Sequence, residues 1–162
     1  MDKSTISITA YGHPINGWDD WYQKAKAIFK TLGYEYNYLG SNIWGDGKIK
    51  TVTRGEKKLL NAIQAEDILD SVSMFSLPKD FKSASFDYDI VIVRKREFTT
   101  LVVNKSDYCK LAEAEVTALF SNYVSNPFIE IYEMDRYEMP LLYASKANPS
   151  SFFTTLKILK QL

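Results

Sequence analysis

The chain carries one cysteine, Cys109, and one histidine, His13, in 162 residues. A lone cysteine excludes an internal disulfide, and a single free thiol fits a reducing compartment. One histidine and one cysteine also exclude a zinc site built from four such ligands. Net charge is missing too, because 20 basic residues cancel 20 acidic ones. That balance lacks the electrostatic footprint of a nucleic-acid binder. No run approaches the ~18 apolar residues of a membrane-spanning helix. The opening "MDKSTISITAYG" has neither the basic start nor the unbroken apolar core of a secretion signal. These absences lead us to expect a cytoplasmic protein, unless another system exports it, with no nucleic-acid or membrane partner.

What is present is a globular composition, 46% hydrophobic and 25% charged, with 11 Tyr, 9 Phe and 3 Trp. A domain of this size buries roughly two thirds of the surface of its unfolded chain, so neither metal nor disulfide is needed to hold it. "STISITAY" alternates Ile6, Ile8 and Ala10 against Ser7, Thr9 and Tyr11, the period of a strand ended by Gly12 and Pro14. Trp18, Trp21, Ala25, Ile28, Phe29 and Leu32 then recur at helical spacing, with Asn16 or Asp19 as cap and Gly33 at the C-terminal turn. "YEYNYLGSNIWGDGKIKTVT" reads as a hairpin turning at Asp46-Gly47. Thr53 and Glu56 have capping-box spacing for a second helix reaching about Ser71. "VSMFSLP", "FDYDIVIVRK" and "EFTTLVVN" read as strands, the latter two joined by a solvated basic turn at Arg94, Lys95 and Arg96. "SDYCKLAEAEVTALFSNYV" predicts a third helix, "FIEIYEMD" and "PLLYAS" two strands, and the stretch after Pro149 a terminal helix along Phe152, Phe153, Leu156 and Leu159. The fold expected is one α+β domain over residues 1–162, a mostly antiparallel or mixed sheet with about four helices packed on it. The order of the first half, β-α-β-β-α-β, matches a ferredoxin-like split unit.

Catalytic constellations are thin. A nucleophile needs a base and the base an orienting group, and His13 and Cys109 could form only one such pair. Asp107 beside Cys109 opposes a thiolate, and the cysteine is expected as a small, at least half-buried side chain. Asp87 and Asp89 in "FDYDIV" share a strand face, and Asp19 and Asp20 adjoin in "WDDW", so either pair is a candidate for carboxylate or metal chemistry. "GDGK" lacks the longer glycine loop and the following helix of a phosphate loop. The densest remaining feature is "EIYEMDRYEM", where Glu133, Asp135 and Glu138 flank Tyr137. Acids interleaved with aromatics suit docking of a basic partner. Trp44 and Asp46 at the glycine-rich hairpin tip form a second candidate surface, unless Trp44 folds back onto the sheet.

In "NGWDDWYQKAKAIFKTLGY", "YEYNYLG" and "EIYEMDRYEM", as in its neutral, Tyr- and Trp-rich character, the chain resembles bacterial polymorphic-toxin immunity proteins. That resemblance implies a cytoplasmic inhibitor that binds and neutralises one cognate toxin domain, with no enzymatic activity and no cofactor. It assigns no functional residues. The partner-binding candidates from the residues themselves are Trp44, Asp46, Glu133, Asp135, Tyr137 and Glu138. A carboxylate- or metal-dependent enzyme and an oligomeric accessory component of a phage or secretion system are the alternative readings.

Overall fold

The alternation of "STISITAY" places Ile6, Ile8 and Ala10 under the helices and Thr5, Ser7 and Thr9 on the opposite face, and both sets are buried. The strand they form, β1 (Ser4–Pro14), lies deep within a sheet rather than at its margin. The computed structural model describes residues 3–15, 17–65 and 69–162. Among these residues the strands after β1 are β2 (Tyr38–Ser41), β3 (Lys50–Thr51), β4 (Ser71–Ser76), β5 (Ile90–Lys95), β6 (Phe98–Asn104), β7 (Val124–Asp135) and β8 (Lys157–Gln161). They form one antiparallel sheet in the order β3-β2-β4-β5-β6-β1-β7-β8. With the helices α1 (Trp18–Leu32), α2 (Val52–Gln64), α3 (Glu113–Ser121) and α4 (Pro140–Ala144), this is the expected α+β architecture.

The β1 strand pairs with β6 and β7 and with none of β2 to β4, so the first half is not a ferredoxin-like unit. Gly12 does not end β1 but bends it, since the register with β7 shifts between Tyr11 and His13. A Cβ at Gly12 would stand 2.6 Å from the Ser125 carbonyl oxygen, at φ +154°. Only glycine lets the two backbones approach this closely.

One face of the sheet carries α1 to α3 on the main core, from Ile8 and Ile131 at the centre to Leu39 and Leu59 towards β2. The α1 helix closes at Gly33 in the left-handed conformation, as expected. Its N-cap is Gly17 with no side-chain cap, which displaces Asp19 from that role, while Asn16 lies outside the described residues. The α2 helix starts from Thr51 rather than Thr53 and ends at Gln64, short of Ser71. Glu56 makes no capping box but bonds Tyr22 and Lys26, so tertiary contacts claim the carboxylate. Tyr34 and Tyr36 lie before β2 and pack on the core instead of extending the strand.

The other face is also covered. Phe75, Val91, Val93 and Val102 pack with the 77–88 segment, and Tyr132 and Met134 pack with Tyr143 and Phe153. Between these clusters runs a buried polar stripe. Thr9 bonds Thr100 at 2.6 Å and Tyr132 at 2.9 Å, and Thr5 donates to the Met134 carbonyl at 2.9 Å. Mutual bonding lets hydroxyls lie away from water at small net cost.

Four sequence expectations give way here. "PLLYAS" forms α4, with Pro140 at its first turn, where the missing N–H costs nothing. The terminal stretch is a 3₁₀ turn at Ser150–Phe152 followed by β8, because residues Lys157–Gln161 find partners on β7. The third helix breaks into a 3₁₀ run at Lys105–Lys110 and α3. The basic turn is likewise not wholly solvated, since Arg94 is buried against α1 and only Lys95 and Arg96 face solvent.

A second arginine holds the far side of the sheet together. Arg136, 1% exposed, donates through Nη1 to the carbonyls of Phe86 and Tyr88, both at 2.8 Å, and through Nη2 to Asn104 Oδ1. Deleting a buried charged donor that holds several acceptors costs about 3 kcal/mol. Arg136→Met should therefore lower the unfolding free energy in urea by about that amount. A loss below about 0.5 kcal/mol, the range of ordinary surface changes, would show that Arg136 holds nothing.

Candidate functional site

The chain leaves β7 through a 3₁₀ turn at Arg136–Glu138 whose backbone is pinned at both ends. The Arg136 N–H donates to the Lys3 carbonyl, and the Tyr137 N–H donates to Asp135 Oδ1, each at 2.8 Å. With the Arg136 side chain driven inward, the next residue must face out. Tyr137 is 52% exposed, with its ring 5.7 Å from that of Phe86. Met139 follows at φ 62°, a left-handed conformation that turns the chain into α4. Glu138 is a clasp. Its carboxylate accepts from the backbone N–H of Thr154 at 2.9 Å and of Thr155 at 2.6 Å, and from both threonine hydroxyls. This joins the turn to the segment that follows Phe152. Phe152 is 60% exposed and Met139 37%. Tyr137 and Met139 thus stand exposed on a turn held from beneath by Arg136 and from the side by Glu138, and Phe152 is exposed two residues before the clasped Thr154.

The acids of "EIYEMDRYEM" all have partners in the fold. The Lys105 ammonium, 3.1 Å away, holds the Glu133 carboxyl below its ordinary range, with help from the Ser4 hydroxyl. Desolvation pushes Glu138 up, but the Thr155 and Thr154 donors outweigh it and leave the group lowered. Glu130 is buried on the same strand. Desolvation raises it, and donors from Tyr143, Gln161 and Lys146 reverse the sign. The stretch is therefore a structural joint that presents apolar groups, not a loop of free carboxylates.

Trp44 and Asp46 lie elsewhere. Trp44 folds back onto the domain, its indole N–H donating to the Lys48 carbonyl at 3.0 Å and its ring edge lying over Gly55. Asp46 closes its own loop by accepting from the Lys48 N–H at 3.0 Å, a bond that lowers its pKa, and it meets Lys50 at 3.4 Å. The groove beside them, about 550 Å³, is basic, lined by Lys48, Lys50, Arg54 and Lys58 against Asp46. It adjoins β2, while the Tyr137 corner follows β7. Five strand spacings separate the two, roughly 24 Å at the usual interval, so they are distinct surfaces.

The other candidates remain apart from one another. His13 is exposed beside the β1 bulge, in an open cleft lined by Arg96, Glu97, Ser125 and Asn126. Cys109 is exposed in the 3₁₀ run, not half-buried, because the chain breaks before α3 begins. Asp87 and Asp89 precede β5 instead of sharing its face. Asp87 accepts from the Lys82 and Ser83 N–H groups, which lower it, whereas burial raises Asp89 against the nearby Arg136. Asp20 accepts from Tyr123 and pairs with Lys24 at 3.0 Å, and Asp19 is exposed. Among the described residues, no three His, Cys, Asp or Glu side chains converge as a metal site. Met139, Phe152 and the inward Arg136 were missed from the sequence. Pro140 was the available signal, since a proline that starts a helix forces a turn just before it.

A lowered carboxyl stabilises the fold above its ordinary value, 4.5 for Glu138, and loses that contribution as pH falls through the lower folded value. Glu138→Gln should unfold about 1 kcal/mol more easily at neutral pH. Its deficit against the wild type in urea melts should shrink below pH 4.5, and a deficit independent of pH would contradict the clasp. Set against known protein families, characterised proteins and solved structures, the chain finds no match in any of the three comparisons.

Proposed function

We propose that this chain works by binding another protein through the Tyr137 corner, as an immunity-type inhibitor of a toxin domain. The observation that carries the reading is the exposure of Tyr137, Met139 and Phe152 on a rigid support. Large apolar groups grouped at a surface mark interaction sites when they are held together, and tyrosine is among the residues that dominate interface energy. The inward Arg136 and the Glu138 clasp fix the corner before any partner arrives. Such preorganisation reduces the ordering cost of association. The partner surface that fits would offer pockets for the Tyr137 and Phe152 rings.

The test is co-purification with the product of the neighbouring gene. A 1:1 complex by size-exclusion chromatography is expected, together with protection of cells that express that product. In the double variant Tyr137→Ala/Phe152→Ala, affinity should fall by about 100-fold, the effect of losing two moderate hot spots, with the melting temperature little changed. Absence of a complex, or a complex indifferent to the double substitution, would contradict the proposal.

A further inference from the structure

The helix-covered face holds a buried cation that the Tyr137 corner does not involve. Arg94, near the end of β5, is 2% exposed. Its guanidinium carbon lies 4.1 Å from the Trp18 ring centre, 5.3 Å from Tyr123 and 5.6 Å from Trp21. Nη2 donates to the Ile15 carbonyl at 2.5 Å. Nη1 is buried without a hydrogen-bond partner, as is the indole N–H of Trp21. Among the described residues no carboxylate pairs with Arg94. Burial pushes its pKa down to about 10, and Tyr123 opposes the shift.

A buried guanidinium with an unused donor is costly unless its charge is met. Three aromatic faces return part of that cost, but none supplies an oxygen acceptor to Nη1. Arg94 is also part of the wall of a cleft of about 300 Å³. Pro14, Ile15, Trp18 and Leu69 form the apolar part of the cleft, and Lys95, Arg96 and Asp70 complete its lining. Arg96 is already neutralised by Asp70 at 2.7 Å, whereas Lys95 has no ion-pair partner among the described residues.

We propose that this cleft binds a small organic carboxylate, its head group accepting from Arg94 Nη1 and facing Lys95, its apolar body lying along Trp18, Ile15 and Leu69. The guanidinium plane suits a carboxylate. The apolar walls favour an acid with a hydrocarbon or aromatic body over inorganic phosphate, and the volume limits it to a small molecule.

Titration of the full chain with sodium benzoate, sodium acetate and inorganic phosphate at matched ionic strength tests the proposal, read by tryptophan fluorescence and melting temperature. Benzoate should saturate and raise the melting temperature, and both acetate and phosphate should bind at least several-fold more weakly. Arg94→Lys keeps the charge but not the planar fork, and should weaken benzoate by about tenfold or more. Ile15→Trp, at an exposed wall position that leaves the Arg94 side chain intact, fills the cleft and should weaken benzoate while the fold is retained by circular dichroism. The second variant decides the matter if Arg94→Lys fails to fold. No saturation by benzoate, phosphate binding as tight as benzoate, or unchanged benzoate affinity in Ile15→Trp would overturn the assignment.

Discussion

The burial of Arg136 is the constraint on which the exposed corner depends. A guanidinium can leave water only if its donors find acceptors, and here the carbonyls of Phe86 and Tyr88 and the side chain of Asn104 supply them. Those acceptors belong to the loop before β5 and the end of β6, so one side chain ties the end of β7 to the middle of the sheet. Asp89, raised by burial, also lies in its field. Because position 136 points inward, Tyr137 points outward, and the left-handed Met139 then starts α4. The corner is a consequence of satisfying one buried charge.

The two faces of the sheet are held by different physics. Under α1 to α3 the contacts are aliphatic and aromatic, with Arg94 stacked at their margin. Across the other face, hydroxyl bonds among Thr9, Thr100 and Tyr132 separate two apolar clusters. The two ends of the sheet also differ. The β3 end is a two-residue strand, whereas β8 is a five-residue edge strand, exposed throughout, with Lys157 and Lys160 along it. Edge lysines and the shift in pairing between Ile131 and Tyr132 discourage open-ended pairing with other chains.

Much of this architecture was legible locally. The alternation of β1, the consecutive Ile90 to Val93 and the α1 stripe each report burial directly, because side-chain period is set by backbone geometry. What failed was decided by distant partners. "LKILKQL" presents apolar residues at spacings compatible with either state, and β7 makes it a strand. A five-residue helix such as α4 is too short to show a period. Arg94 reads as part of a charged turn until α1 brings Trp18 and Trp21 against it. For the corner, Tyr137 and Glu138 could be singled out by type, but the clasp of Glu138 on Thr154 and Thr155 spans 16 and 17 residues and leaves no local trace. The acids of the stretch were legible in composition, whereas their ties to Lys105, Thr154 and Thr155 and the exposure of Tyr137 and Met139 were not.

Amide hydrogen exchange of the chain, alone and mixed with the neighbouring gene's product, tests the central claim most directly. The account requires new protection at Tyr137, Glu138 and Met139 and over residues 151–155, with little change around Trp44. Protection confined to residues 44–58, or no difference at the Tyr137 corner in a mixture shown to be complexed, would contradict it.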